Sequence, residues 1–80
     1  MILKPITSEK FVKMIDIDNT LVFETGRVER KEEIKKEIEK IFGVKVKKLR
    51  TLIKENKKIV YAKLSKENPA IDVATKIGMI

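Results

Sequence analysis

The chain has 80 residues, 39% of them charged, a net charge of +7, and neither cysteine nor histidine. A chain of this length builds one domain around one modest core, so a single domain over residues 1–80 is expected, with no cleft between domains. The missing residue types exclude a disulfide framework, thiolate chemistry and the commonest general base and metal ligand; no apolar run reaches the roughly eighteen residues that a membrane-spanning helix needs.

MILKPITSEK at the start lacks the apolar segment of a secretory signal, which makes the cytosol the expected compartment. Abundant Lys, Glu and Ile with no Gln or Cys match the ion-pair-rich composition common in hyperthermophile proteins. The charge is unevenly placed. Residues 1–43 carry nine basic and nine acidic side chains, whereas residues 44–66 carry nine basic ones against Glu55 alone. One contiguous segment therefore holds the whole positive excess.

In chain order, Ile2–Leu3 reads as a short strand ending near Pro5, which cannot donate to a ladder. Thr7 or Ser8 then caps a helix with Glu9 in its first turn and Phe11, Met14 and Ile15 on one stripe, Val12 beside them. Residues 16–19, DIDN, have turn chemistry and should end it. Residues 20–25, TLVFET, form a strand with Leu21 and Phe23 on one face and Val22 on the other, so both faces of the sheet need a cover. Residues 30–42, RKEEIKKEIEKIF, make the clearest helix, with Ile34, Ile38, Ile41 and Phe42 as its apolar stripe, Glu32–Lys36 and Glu33–Lys36 as surface pairs, and Gly43 at its C-terminal end.

Val44 to Ile53 reads as a strand in which the alternation slips at Lys48–Leu49, the mark of a bulge. KENK at residues 54–57 turns the chain. Residues 58–64 alternate Val60, Ala62 and Leu64 against Ile59, Tyr61 and Lys63, and one of these sets should face the core. Asn68–Pro69 starts a last helix with Asn68 as cap and Pro69 at its first position; its stripe would be Ile71, Ala74 and Ile77, and Gly78 would end it. The order is (β)-α-β-α-β-β-α. That is an α+β domain: an antiparallel sheet with helices packed on it, on both of its sides.

Little in this pattern supports catalysis. DIDNT faintly resembles an acidic metal-binding run, but the later glycine and bidentate acid of a calcium loop are missing, and a helix-to-strand turn explains it better. Thr7 and Ser8 have no histidine partner, and no GxGxxG, P-loop or GxSxG element occurs. No enzyme activity, cofactor or metal is therefore expected. The basic hairpin is different. Lys45, Lys47, Lys48, Arg50, Lys54, Lys57, Lys58 and Lys63 lie on two adjacent strands and their turn, where paired side chains stand about 5 Å apart. Such a set repels itself in free solution and is relieved by a polyanion through counterion release. Lysine outnumbers arginine, and Tyr61 alone is too little for an RNA-recognition sheet that stacks successive bases, so the expected mode is phosphate binding to a folded RNA by shape and charge.

Two patterns then resemble a known family. Lys4, Pro5, Ile6, Thr7, Ser8, Glu9 and Lys10 match an opening of basic residue, proline, two mostly aliphatic positions, Thr or Ser and Glu-Lys, with Thr7 at a position that is often aliphatic. Lys31, Ile34, Phe42, Val44 and Val46 match a lysine opening the central helix followed by an aliphatic residue and a Phe-x-Val-x-Val passage into a strand. Together with the closing strand KKIVYAKL, these resemble the large-subunit ribosomal protein family L-twenty-three, in its short archaeal form. Arg50–Thr51 stands where that family often has Asn-Thr.

The resemblance implies a three-layer α/β/α fold and a structural role in the large ribosomal subunit, cytoplasmic and ribosome-bound. It implies contact with large-subunit rRNA near the polypeptide exit tunnel, a neighbouring ribosomal protein of the L-twenty-nine family, and docking of nascent-chain factors: signal recognition particle, chaperones and the translocon. With it, Lys4, Lys31 and Lys35 join the hairpin cations as expected rRNA contacts. Factor docking carries over to Glu9, with Ser8 and Lys10 beside it. No membrane insertion is implied. The KENK turn is too short for the long tunnel-lining loop of bacterial members. The alternative from the charge pattern alone is a free-standing basic protein that binds RNA or DNA.

Overall fold

The computed structural model describes residues 3–6, 8–26 and 30–76. Its elements are β1 (Lys4–Pro5), α1 (Glu9–Ile17), β2 (Thr20–Gly26), α2 (Lys31–Phe42), β3 (Val46–Lys54), β4 (Lys57–Leu64) and α3 (Ala70–Lys76). The strands form one antiparallel sheet in the order β1-β2-β4-β3. The expected α+β order is the observed one. β1 begins at Lys4 rather than at Leu3, and Ile2 lies outside the described residues, as do Thr7, Ile77 and Gly78.

Cross-strand partners share a face, so the registers sort the sheet into two sides. Leu21, Phe23, Val60 and Ala62 share one. Val22, Tyr61 and Lys63 share the other, together with Arg50 and Lys48 across the β3–β4 ladder. The first side holds the main core, where Leu21, Phe23, Val60 and Ala62 are fully buried with Ile34 and Ile38 of α2. Phe42 closes that layer by stacking on Phe23 with ring centroids 5.7 Å apart. α1 covers the second side, its Phe11 meeting Tyr61 edge-on at 5.9 Å. Helices thus lie on both sides, as the apolar pattern of β2 requires. Val22 is fully buried although it points away from the main core.

Three local readings need correction. The α2 stripe is narrower than expected: Ile41 is 54% exposed, because the helix meets the sheet along Ile34, Ile38 and Phe42. The register irregularity falls between Val46 and Lys48, one residue earlier than the hydropathy slip, with Lys47 as the extra residue. α3 buries Ala70, Val73 and Ala74; of the expected stripe Ala74 is buried but Ile71 stays exposed. The periodicity of so short a helix is ambiguous by one residue. Its neighbours α1 and β2 decided the matter by accepting small side chains, which allow close approach.

The Asn68 cap is also reassigned. Its Oδ1 accepts from the Lys45 N–H at 2.9 Å and from the Ser65 hydroxyl, tying β3 to the loop before α3. The first helical N–H, that of Ala70, is instead accepted by Asn19 Oδ1 at 2.6 Å. Ser8 caps α1 as expected, accepting from the Phe11 N–H at 3.4 Å. The β3–β4 turn consists of Glu55 and Asn56, both with positive φ (52° and 63°), as a two-residue hairpin turn with the sheet's twist demands.

Candidate nucleic-acid interface

The two-residue turn fixes the register of the hairpin, and with it the faces of the cations. On the Tyr61 side stand Lys48 opposite Lys63, Arg50 opposite Tyr61, Leu52 opposite Ile59, and Lys54 opposite Lys57. Lys4, opposite Glu24 on β2, shares this side at the far edge. Lys48, Arg50, Lys54, Lys57 and Lys63 are all exposed. Six of the predicted cations therefore share one side of the sheet.

The remaining predicted residues scatter. Lys58 pairs with Ile53 and Thr25 and is half-buried on the core side. Lys45 and Lys47 are exposed at the entry and bulge of β3. Lys31 and Lys35 are exposed on α2, which covers the opposite side of the sheet from Lys48 and Arg50. The docking residues sit at the start of α1. Ser8 is used by the cap, Glu9 lies 3.9 Å from Lys13 with its side chain 89% exposed, and Lys10 borders the shallow surface that includes Arg50 and Tyr61.

Ion pairing does little to neutralise the cationic side. Among the described residues, Glu24 reaches Lys57 at 3.5 Å, while Lys48, Arg50 and Lys63 have no carboxylate within ion-pair distance. The expected Glu32–Lys36 and Glu33–Lys36 pairs of α2 also stay apart, since the entropy of long exposed side chains offsets the weak attraction in water. Arg50 is held instead by Tyr61, its guanidinium carbon 5.1 Å from the ring centroid. A planar cation stacked on an aromatic ring keeps its outer face and its N–H groups available.

The strands and α1 together form an open hollow that the charge pattern did not show. A cavity of about 210 Å³ lies between the end of α1 and the sheet. Lys48, Arg50, Tyr61, Lys63 and Thr20 line it from the strands, and Met14 and Asp18 from the helix. In the sequence Asp18 reads as part of the helix-to-strand turn and Met14 as part of the helix's apolar stripe. The hairpin half of this site was legible in principle, since a two-residue turn at Glu55–Asn56 places Arg50 opposite Tyr61 and Lys48 opposite Lys63. The helix half had no local signal. Among the described residues no group of three or more acidic side chains is placed to hold a metal ion. No helix there is long and apolar enough to cross a membrane.

Fold and site together define a small basic α+β domain that gathers exposed cations on one face of its sheet. Residues 1–75 match the family described as Ribosomal protein L23. The chain is 38% identical over 80 residues to the large ribosomal subunit protein uL23 of Methanothermobacter thermautotrophicus, a match covering 99% of this chain and 93% of that protein. It is 41% identical over 81 residues to the large ribosomal subunit protein uL23B of Schizosaccharomyces pombe, covering 100% of this chain but only 57% of that longer protein. The chain belongs to the Ribosomal protein L23 family, a family of ribosomal proteins and not of enzymes.

Proposed function

We propose that the protein is a structural constituent of the large ribosomal subunit that binds large-subunit rRNA through the Tyr61 side of its sheet. The relatives named above are large-subunit proteins, which supports the placement. The observation that carries the RNA reading is the set of exposed cations on one sheet face, of which Lys48, Arg50 and Lys63 lack a carboxylate partner. Such charges are unfavourable together in water and favourable against phosphates. Lys45 and Lys47 extend the surface at the β3 entry, and Lys58, Lys31 and Lys35 reach RNA only where it wraps to the other side. The tunnel-exit location, the L-twenty-nine neighbour and the docking of signal recognition particle and other nascent-chain factors at Ser8, Glu9 and Lys10 belong to the same proposal; the exposure of Glu9 supports the last.

Reversal of Lys48, Arg50 and Lys63 to Glu together tests it. All three are exposed, so the variant should fold with an unchanged circular-dichroism spectrum. It should fail to co-migrate with large subunits in a sucrose gradient, and the salt slope of its RNA affinity should fall by about 2–3 units, one lost contact contributing about 0.7–0.9. Normal incorporation of the folded variant would remove the RNA role of this face. If the unmodified protein bound RNA with the expected salt slope but sedimented apart from subunits, the free-standing alternative would hold instead.

A further inference from the structure

The cavity between α1 and the sheet contains a contradiction for a surface that holds phosphates only. Lys48, Lys63 and Arg50 converge on it, yet so does the carboxylate-bearing Asp18. Asp18 is not consumed by an ion pair with any of them, since no described carboxylate lies within 4.0 Å of these cations. Its part in the fold is played by the backbone: its N–H closes the last turn of α1 on Met14, and its carbonyl accepts from the Thr20 hydroxyl at 3.0 Å. The carboxylate is thus left without an ion-pair partner in a cavity that three cations also line. The same cavity holds a stacking surface, the Arg50 guanidinium backed by Tyr61, with Met14 lining it from the helix side.

The dimensions narrow the ligand. About 210 Å³ is below the range of roughly 300–1,000 Å³ typical of pockets for whole drug-sized molecules, yet far above the ~30 Å³ that one water occupies. A single planar base fits this scale. Single-stranded or bulged RNA is read by this combination of parts, an aromatic or guanidinium plane for the face of the base and a polar group for its Watson–Crick edge. A lone carboxylate accepts two hydrogen bonds side by side, and guanine is the base that offers two adjacent donors on that edge. Lys48 and Lys63, cross-strand neighbours that line the same cavity, offer charge to the backbone phosphate next to the base.

We propose that this cavity is a pocket for one unpaired guanine extruded from the bound RNA, stacked on Arg50 with its Watson–Crick edge on Asp18. The proposal rests on the reading of the Tyr61 side as an RNA surface and adds a base-specific site to it.

The sign of one substitution separates this from phosphate binding alone. The test measures affinity of the full chain for RNA hairpins by fluorescence anisotropy: one fully paired, and four with a single bulged G, A, C or U. The bulged-G hairpin should bind about tenfold tighter than the paired one and than the other bulges. Asp18→Asn is nearly isosteric and leaves the backbone bonds of the turn in place. It should abolish the bulged-G preference while leaving paired-hairpin binding unchanged or slightly stronger. Arg50→Lys keeps the charge and loses the plane, so it should lower bulged-G affinity by a larger factor than it lowers paired-hairpin affinity, narrowing the gap between the two. Two results would overturn the pocket: equal affinity for all hairpins, or tighter binding of every hairpin by Asp18→Asn, the outcome expected when a carboxylate merely repels phosphate. Paired-hairpin binding and its salt slope report on the surface itself, so a failed pocket and a failed surface are distinguishable.

Discussion

Asn19 holds four backbone groups from distant parts of the chain. Its Nδ2 donates toward the carbonyls of Leu64 and Ser65 at 3.1 Å and of Asn68 at 3.2 Å, while its Oδ1 accepts from Ala70 N–H at 2.6 Å. Two hydrogens serve three carbonyls, so one is shared. The residue also sits at φ 52°, a conformation that Asn tolerates better than most non-glycine residues. Asn19→Ala loses both the bonds and the backbone preference and should cost about 3 kcal/mol in urea unfolding. Asn19→Gly restores the backbone freedom alone and should recover no more than about 1 kcal/mol of that. Equal stability of the two variants with the parent would show that the hub carries no weight. In the sequence this residue reads only as a turn former, because every partner lies 45 to 51 residues away.

Among the elements, α2 and β3 meet at a junction set by two devices. Gly43 ends the helix at φ 64°, its N–H bonded to the Glu39 carbonyl at 3.0 Å. Three residues later the Glu39 carboxylate takes the Val46 N–H at 2.9 Å, just where the ladder slips. A Cβ at position 43 would meet nothing within 4 Å. Gly43→Ala should therefore cost only the left-handed backbone penalty, about 1 kcal/mol, with no change in the near-ultraviolet spectrum. A loss of several kcal/mol would point to a clash that this geometry does not contain. The C-terminal glycine was readable from position alone. The bulge was readable to within one residue, since hydropathy marks where alternation resumes rather than which residue is extra. α3 was readable as a helix but not in its facing, because seven residues carry too little periodicity to outvote the neighbours. At the sheet edge, β3 runs nine residues with an unpaired side, and its lysines guard against the edge-to-edge pairing that a long apolar strand would invite.

On the scale of the whole molecule, α1 joins the two proposed surfaces. Its body covers the Tyr61 side and supplies Met14 and Asp18 to the cavity, while its first turn presents Glu9 to solvent. The Glu9–Lys13 pair is exposed on both partners and adds little to stability. Glu9→Lys should thus leave the melting temperature and subunit incorporation unchanged and weaken factor docking to the assembled subunit roughly tenfold, chiefly by slowing association. Unchanged docking would release Glu9 from that role.

By itself the sequence determined the α+β class, the element order, the location of the charge excess, an α1 cap at Thr7 or Ser8, the C-terminal glycine of α2 at Gly43, and the need for cover on both sides of β2. All of these depend on spacing within a dozen residues, which periodicity, turn chemistry and propensity report directly. The tertiary structure alone decided that α2 carries Lys31 and Lys35 to the opposite side of the sheet from the hairpin cations, that Asn19 rather than Asn68 caps α3, and that Asp18 lines one cavity with the basic hairpin. Those are contacts between segments far apart in the chain. They follow from strand register and from the competition of helices for the two sheet faces, quantities that no local window contains.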